Sequence, residues 1–143
     1  MKDIISIRPA RFSDCVRCQR LGRVPEIAIA PQWYLPLAYY RKVVREKHIF
    51  QVAEINRQVV GFVIAEKIVF GYLAQYIVVD KKYRRTGIGR QLLASMEHES
   101  KRRRAWFLLG YAVKKSTSIG KLLDEFGYRR GQITQERSKG IGE

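Results

Sequence analysis

The sequence predicts an α/β (α+β) fold, a mixed sheet with helices on both faces, and three observations carry that prediction. Helix-like and strand-like apolar runs interleave along the chain in the order β-α-α-β-β-β-loop-α-β-α-β. Two β-rich runs, Ile49 to Ile55 and Gln58 to Lys67, meet at the two-residue turn Asn56-Arg57, a hairpin signal. An apolar run from Leu73 to Asp80 passes through a basic, glycine-bearing turn into an amphipathic helix and a return strand. That is the pattern of a right-handed βαβ unit.

Taken in order, Ile4, Ile5 and Ile7 form a first strand ended by Pro9. Ser13 caps a two-turn helix from Asp14 to Leu21. Gly22 to Gln32 carries Pro25 and Pro31 without clear period and reads as loop, with Val24, Ile27 and Ile29 as apolar lining. Trp33 to Lys47 reads as a helix that tolerates Pro36 near its start, its stripe being Leu37, Tyr40, Val43 and Val44. Tyr34 and Tyr39 fall off that stripe, toward solvent or a ligand.

After the hairpin, Gly71 precedes a strand over Tyr72 to Asp80. Its end, Tyr76-Ile77-Val78-Val79, is continuously apolar, which implies burial on both faces. Ile88, Leu92, Leu93 and Met96 stripe the next helix, closed by the cations of Lys101 to Arg104. Trp106 to Val113 is a further strand. Ser116 or Thr117 caps a short helix with Ile119, Leu122, Leu123 and Phe126 on one face and Gly127 at C′. Tyr128 to Thr134 forms a last strand. One domain over residues 1–134 and a polar tail over 135–143 are expected.

The totals bound the function classes. A 46% hydrophobic share over 143 residues excludes disorder as the default. Twenty-eight Lys and Arg against 13 Asp and Glu give a net charge of +15, a field that attracts nucleotides, nucleic acid or acidic proteins. Cys15 and Cys18, with only His48 and His98 to help, fall short of a zinc ligand set, so no metal is expected. Neither an export signal nor an 18-residue apolar run is present, so a cytoplasmic protein without a membrane partner is expected.

The stretch Lys81-Lys82-Tyr83-Arg84-Arg85-Thr86-Gly87-Ile88-Gly89-Arg90 is an anion cradle in physical terms. Its glycines permit backbone conformations closed to other residues, and the helix it opens offers unpaired N–H groups at a positive dipole end. The third glycine of G-x-G-x-x-G is missing, and no G-x-x-x-x-G-K-[ST] occurs, which excludes the dinucleotide fingerprint and the P-loop. R-x-x-G-x-G remains: Arg84, Gly87 and Gly89.

In that form the chain resembles the GNAT superfamily of acyl-CoA-dependent N-acetyltransferases. The resemblance covers almost all of it. Ile7-Arg8-Pro9-Ala10 with Asp14 is similar to the family's opening strand and helix. Gln51 to Glu54 and Val60 to Val63 are similar to its hairpin, and Leu122 to Tyr128 to its L-Y-x-x-x-G-F segment. Ile77 to Asp80 followed by Tyr83 to Leu93 is similar to its pyrophosphate motif.

The resemblance implies a central mixed, mostly antiparallel twisted sheet flanked by about four helices, with the pyrophosphate loop between strand 4 and helix 3. It implies acetyl-CoA as acyl donor and direct attack by a neutral amine, borne by a protein N-terminus, a lysine or a small molecule. Backbone N–H groups of Arg85, Thr86, Gly87, Ile88, Gly89 and Arg90, with Arg84, would hold the pyrophosphate. Ile77, Val78 and Val79 would supply strand backbone to the pantetheine arm and thioester, one N–H near Val79 polarising the carbonyl. Gln75 stands where the family often has a carboxylate base, Leu123 where it has a tyrosine acid, and Ser116 where it has an asparagine. The proton acceptor is therefore sought among water on Gln75, Glu54 and Glu66, and the acid at Tyr111.

The charge disfavours polycationic acceptors and suits an acidic or nucleic-acid-bound one. An open sheet edge after Thr134 points to a homodimer. Two other readings stand beside the enzyme: a GNAT fold that binds CoA with little turnover, and a nucleic-acid-binding module built on Lys101-Arg102-Arg103-Arg104, Lys114-Lys115 and Arg129-Arg130.

Overall fold

The computed structural model describes residues 4–27, 33–110 and 117–128. The expectations for Ile29, Tyr111, Ser116, residues 111–113, the last strand, its open edge and the polar tail lie outside them. The chain falls into two compact units, Met1–Leu109 and Gly110–Glu143.

The first unit holds β1 (Ile5–Pro9), α1 (Cys15–Leu21), α2 (Leu37–Arg45), β2 (Ile49–Ile55), β3 (Gln58–Ile68), β4 (Gly71–Val79) and α3 (Ile88–Arg102). A further strand, β5, spans Phe107–Gly110. The sheet order is β1-β2-β3-β4-β5, and β1 to β4 pair antiparallel with each neighbour. Pro9 is accommodated because β1 lies at the edge of the sheet. The hairpin turn has Asn56 at φ 50° and Arg57 at φ 63°, the doubly left-handed turn that matches strand twist.

Helices cover both faces. Cys15, Cys18, Leu21, Tyr40 and Val43 of α1 and α2 pack with Phe50, Val52, Phe62, Ile64 and Val78 of the sheet. Val24 and Ile27 pack half-buried against that cluster. Ile88, Leu92, Leu93 and Met96 of α3 are buried on the other face. Gly61 allows α3 this close: a Cβ there would stand 2.9 Å from the Val78 carbonyl oxygen and 3.3 Å from Leu92 Cδ1. Both cysteines are fully buried packing residues, their thiols pushed up by burial.

Three expectations are corrected. The second helix starts at Leu37 rather than Trp33, because Pro36 takes an extended backbone (φ −74°, ψ 157°) and serves as N-cap. Ser13 does not cap the first helix. Phe12–Asp14 form a 3₁₀ turn, α1 starts at Cys15, and the Asp14 carboxylate accepts the Arg11 N–H at 2.7 Å. The strands buried on both faces are β2 and β3, while Leu73 to Ile77 and Val79 of β4 are only half-buried. The helices account for much of it: α3 packs on β2, β3 and β4, whereas α1 packs mainly on β3 and α2 on β2, with Tyr76 and Val78 of β4 joining their core.

In the second unit, α4 spans Thr117–Glu125. Leu122, Leu123 and Phe126 are half-buried. Gly127 at φ 83° ends the helix, with Tyr128 N–H donating to Leu123 O and Gly127 N–H to Asp124 O, both at 3.0 Å.

Candidate active site

The end of β4 delivers the chain into the cradle, and Asp80 fixes the delivery. Its N–H donates to Val60 O at 2.7 Å, prolonging the β3–β4 ladder. Its carboxylate caps the 3₁₀ turn Lys81–Tyr83 through the Lys82 N–H at 3.1 Å and accepts from Arg17 Nη2 at 3.2 Å. Arg17 Nε also donates to Val59 O at 3.0 Å, so α1, the start of β3 and the start of the cradle share one cation. The sequence placed Asp80 at the strand end and in the pyrophosphate motif without this role, and did not single out Arg17. An aspartate directly after a continuous apolar strand was the available signal.

Asp80 also sets the polarity of the strand. In an antiparallel ladder, residues alternate between bonding one neighbour and the other. With Asp80 bonded to β3 and Val78 paired with Phe62, the backbone groups of Ile77 and Val79 point away from β3. Arg84 Nε donates to the Val79 carbonyl at 3.3 Å, on that outward side.

The turn beyond is wound tightly. Thr86 Oγ1 donates to Tyr83 O, and Arg85 (φ 66°) and Gly87 (φ 86°) are both left-handed. Gly87 is the N-cap of α3. It supplies no side-chain cap, and the first turn of α3 carries no acidic residue. A Cβ on Gly87 would meet nothing within 4 Å, so the space beside this residue is open. Arg84, Arg85, Thr86 and Arg90 are exposed, and Ile88 is buried as the anchor of the helix. An uncapped N-terminus beside open space among cations fits a pyrophosphate.

Gln75 occupies an irregularity. Ile64 pairs with Tyr76 and Ala65 with Ala74, so Gln75 is the extra residue of a β-bulge. The bulge breaks the alternation of side chains along β4. Tyr76 packs against the α1–α2 core beside Tyr39, ring centroids 5.8 Å apart at 90°, while Ala74 pairs with Ala65 and Leu73 with Glu66. Tyr39 donates its hydroxyl to Glu66 Oε1. Burial, and then that bond, push the Tyr39 hydroxyl far up, so it stays a donor.

The candidate catalytic residues thus divide. Glu66 meets Tyr39, whose ring packs on Tyr76, and Gln75 is the neighbour of Tyr76 in the bulge of β4. Glu54 is drawn elsewhere: its Oε2 takes Arg8 Nη2 at 2.7 Å, and the same guanidinium grips Asp14 at 2.8 and 3.0 Å. Burial alone would raise the Asp14 carboxyl, but Arg8 and the Arg11 N–H hold it below its ordinary value.

A model of the family described as acetyltransferase (GNAT) domain matches residues 46–130. The chain belongs to the GNAT acetyltransferase family. No curated protein matches its sequence. Solved structures share the GNAT fold. Ard1 from Thermoplasma volcanium is 18% identical with a TM-score of 0.79, over 89% of this chain and 84% of its own. Ribosomal-protein-alanine N-acetyltransferase from Brucella melitensis is 20% identical with a TM-score of 0.75, over 87% and 84%. The structure of yncA from Salmonella typhimurium, which holds its cofactor acetyl-CoA, is 18% identical with a TM-score of 0.75, over 87% and 79%. Among the described residues, no helix is long and apolar enough to cross a membrane.

Proposed function

We propose that the protein is an acetyl-CoA-dependent N-acetyltransferase that transfers the acetyl group directly to a neutral amine. The observation that carries this reading is the uncapped N-terminus of α3, opened by left-handed Arg85 and Gly87 directly after β4. N–H groups from Arg85 to Arg90 receive the pyrophosphate there, and the exposed arginines balance its charge. The outward backbone of Ile77 and Val79 receives the pantetheine arm.

On the acceptor side, Glu66 is the proton acceptor. Tyr39 holds its Oε1 by a donated hydrogen bond and so fixes the carboxylate. As the amine nitrogen bonds to the thioester carbon, its surplus proton passes to Glu66, and the C–S bond breaks to release CoA thiolate. Gln75, in the bulge, offers hydrogen bonds to the acceptor rather than proton transfer. Glu54 stays on Arg8. The acceptor is a peptide N-terminus, a lysine or a small amine. The net charge of +15 disfavours a polycation.

The test is thiol release from acetyl-CoA with a panel of acceptors: peptides with free N-termini, N-blocked lysine peptides and small amines. Amine-dependent release with one class identifies the acceptor. Acetyl-CoA binding with no release across the panel would overturn the enzymatic reading and leave a binding protein.

A further inference from the structure

At the other end of β4 and α3, away from the cradle, the surface has a different character. Phe70, just before β4, and Trp106, just after α3, stack with ring centroids 4.6 Å apart at 17°. The pair is pinned by the Trp106 N–H donating to Phe70 O at 2.7 Å. Both rings face solvent: Trp106 is 78% exposed and Phe70 55%. Because α3 has 15 residues, this end lies about 22 Å along the helix from Gly87.

Cations flank the stack along the chain, Lys67 before Phe70 and Arg102 to Arg104 before Trp106, and hydrogen bonds tie this end together. Lys67 N–H donates to His48 Nδ1 at 2.9 Å, beside Lys47. Arg103 Nη1 donates to Lys47 O at 2.6 Å and to the Tyr72 hydroxyl at 3.3 Å. Lys47, Lys67, Arg102 and Arg104 are exposed. The acids nearby are engaged: Glu99 by Arg102 and Arg103, and Glu46 by Lys42 at 3.9 Å.

Two of these cations are held at a conformational cost. Lys47 follows the C-cap of α2 at φ 57°, and Arg104 follows that of α3 at φ 58°. That position ordinarily belongs to glycine. Interaction with the helix dipoles accounts for cations in the last turns. It does not account for a solvent-facing aromatic stack that begins two residues after Arg104.

We propose that this end of the molecule is a binding surface for single-stranded nucleic acid, separate from the cofactor cradle. Bases stack on Trp106 and Phe70, and Lys47, Lys67 and Arg104 take the phosphates. Exposed aromatics interleaved with cations suit single strands, whose bases offer faces that a duplex conceals. An acidic protein would use the cations and leave the stack unexplained.

The test uses the full chain and a fluoresceinated oligouridylate dodecamer. Trp33→Phe leaves Trp106 as the remaining tryptophan, since the chain has two. Its emission falls on titration with the oligonucleotide, and affinity drops steeply with added salt. Trp106→Ala weakens binding about fivefold or more while acetyl-CoA binding is unchanged. Arg104→Gly relieves the backbone, so the protein melts higher yet binds the oligonucleotide less tightly and with a shallower salt slope. The proposal is overturned if Trp106 emission does not change, if Trp106→Ala binds as wild type, or if acetyl-CoA displaces the oligonucleotide. It is equally overturned if polyaspartate binds and the oligonucleotide does not, or if the patch is covered by a second copy in sedimentation equilibrium.

Discussion

Arg17 on α1 donates to Asp80 at the end of β4, 63 positions later, at 3.2 Å, and so ties a helix of one face to the start of the anion turn. Asp80 has two further bonds that aim the turn, through its own N–H and through Lys82. Asp80→Ala therefore removes a cap and an anchor together. We expect a loss of about 1–2 kcal/mol in urea unfolding, and roughly tenfold weaker acetyl-CoA binding by calorimetry. Unchanged affinity would show that the turn holds its form without the anchor.

Glu66→Gln keeps the hydrogen bond from Tyr39 but removes the proton acceptor. The expected result is a fall in kcat of about 10²–10⁴-fold with KM for acetyl-CoA unchanged. Tyr39→Phe, which frees the carboxylate, should lower kcat less. Wild-type kcat in both variants would remove Glu66 from the reaction.

Gly61→Ala should destabilise the fold by about 1–3 kcal/mol in denaturant unfolding, because the new methyl group meets a strand carbonyl 2.9 Å away. A neutral result would mean that β4 and α3 can shift away from Gly61 on β3 at no cost.

Glu99 gives the pH prediction. Hydrogen bonds from Arg102 and then Arg103, against an opposing effect of burial, bring its carboxyl down to about 2 from an ordinary 4.5. A carboxyl lowered in the folded state stabilises it fully above its unfolded value, and that contribution disappears as pH falls from about 4.5 toward 2. Glu99→Gln should therefore be less stable than wild type at neutral pH. The gap should close on acidification in that window. A constant gap would place the effect elsewhere.

Much of this architecture was legible because local chemistry agreed with the final fold. Asn56-Arg57 announces a left-handed two-residue turn, and the turn formed there. Ile88, Leu92, Leu93 and Met96 announce one buried face of α3, and all four are buried. Where neighbours decide, the sequence was silent. The apolar end of β4 implied double burial, but burial depends on how helices from other parts of the chain cover each strand, and α1 and α2 pack mainly on β3 and β2. The bulge at Gln75 is a mismatch of register between two strands, which neither strand carries alone. Glu54 and Glu66 looked equivalent on the hairpin. Arg8 and Tyr39, from other elements, gave them different partners.

The central claim is that the turn from Arg84 to Gly89 receives the pyrophosphate of acetyl-CoA, and calorimetric titration tests it most directly. Wild-type protein should bind acetyl-CoA at one site, and CoA with it. Gly87→Val should keep the overall fold, as judged by circular dichroism, yet lose that binding, because valine is strained at φ 86° and forces the turn out of its form. Wild-type protein that takes up no acetyl-CoA, or a folded Gly87→Val variant that binds it as tightly, would contradict the account.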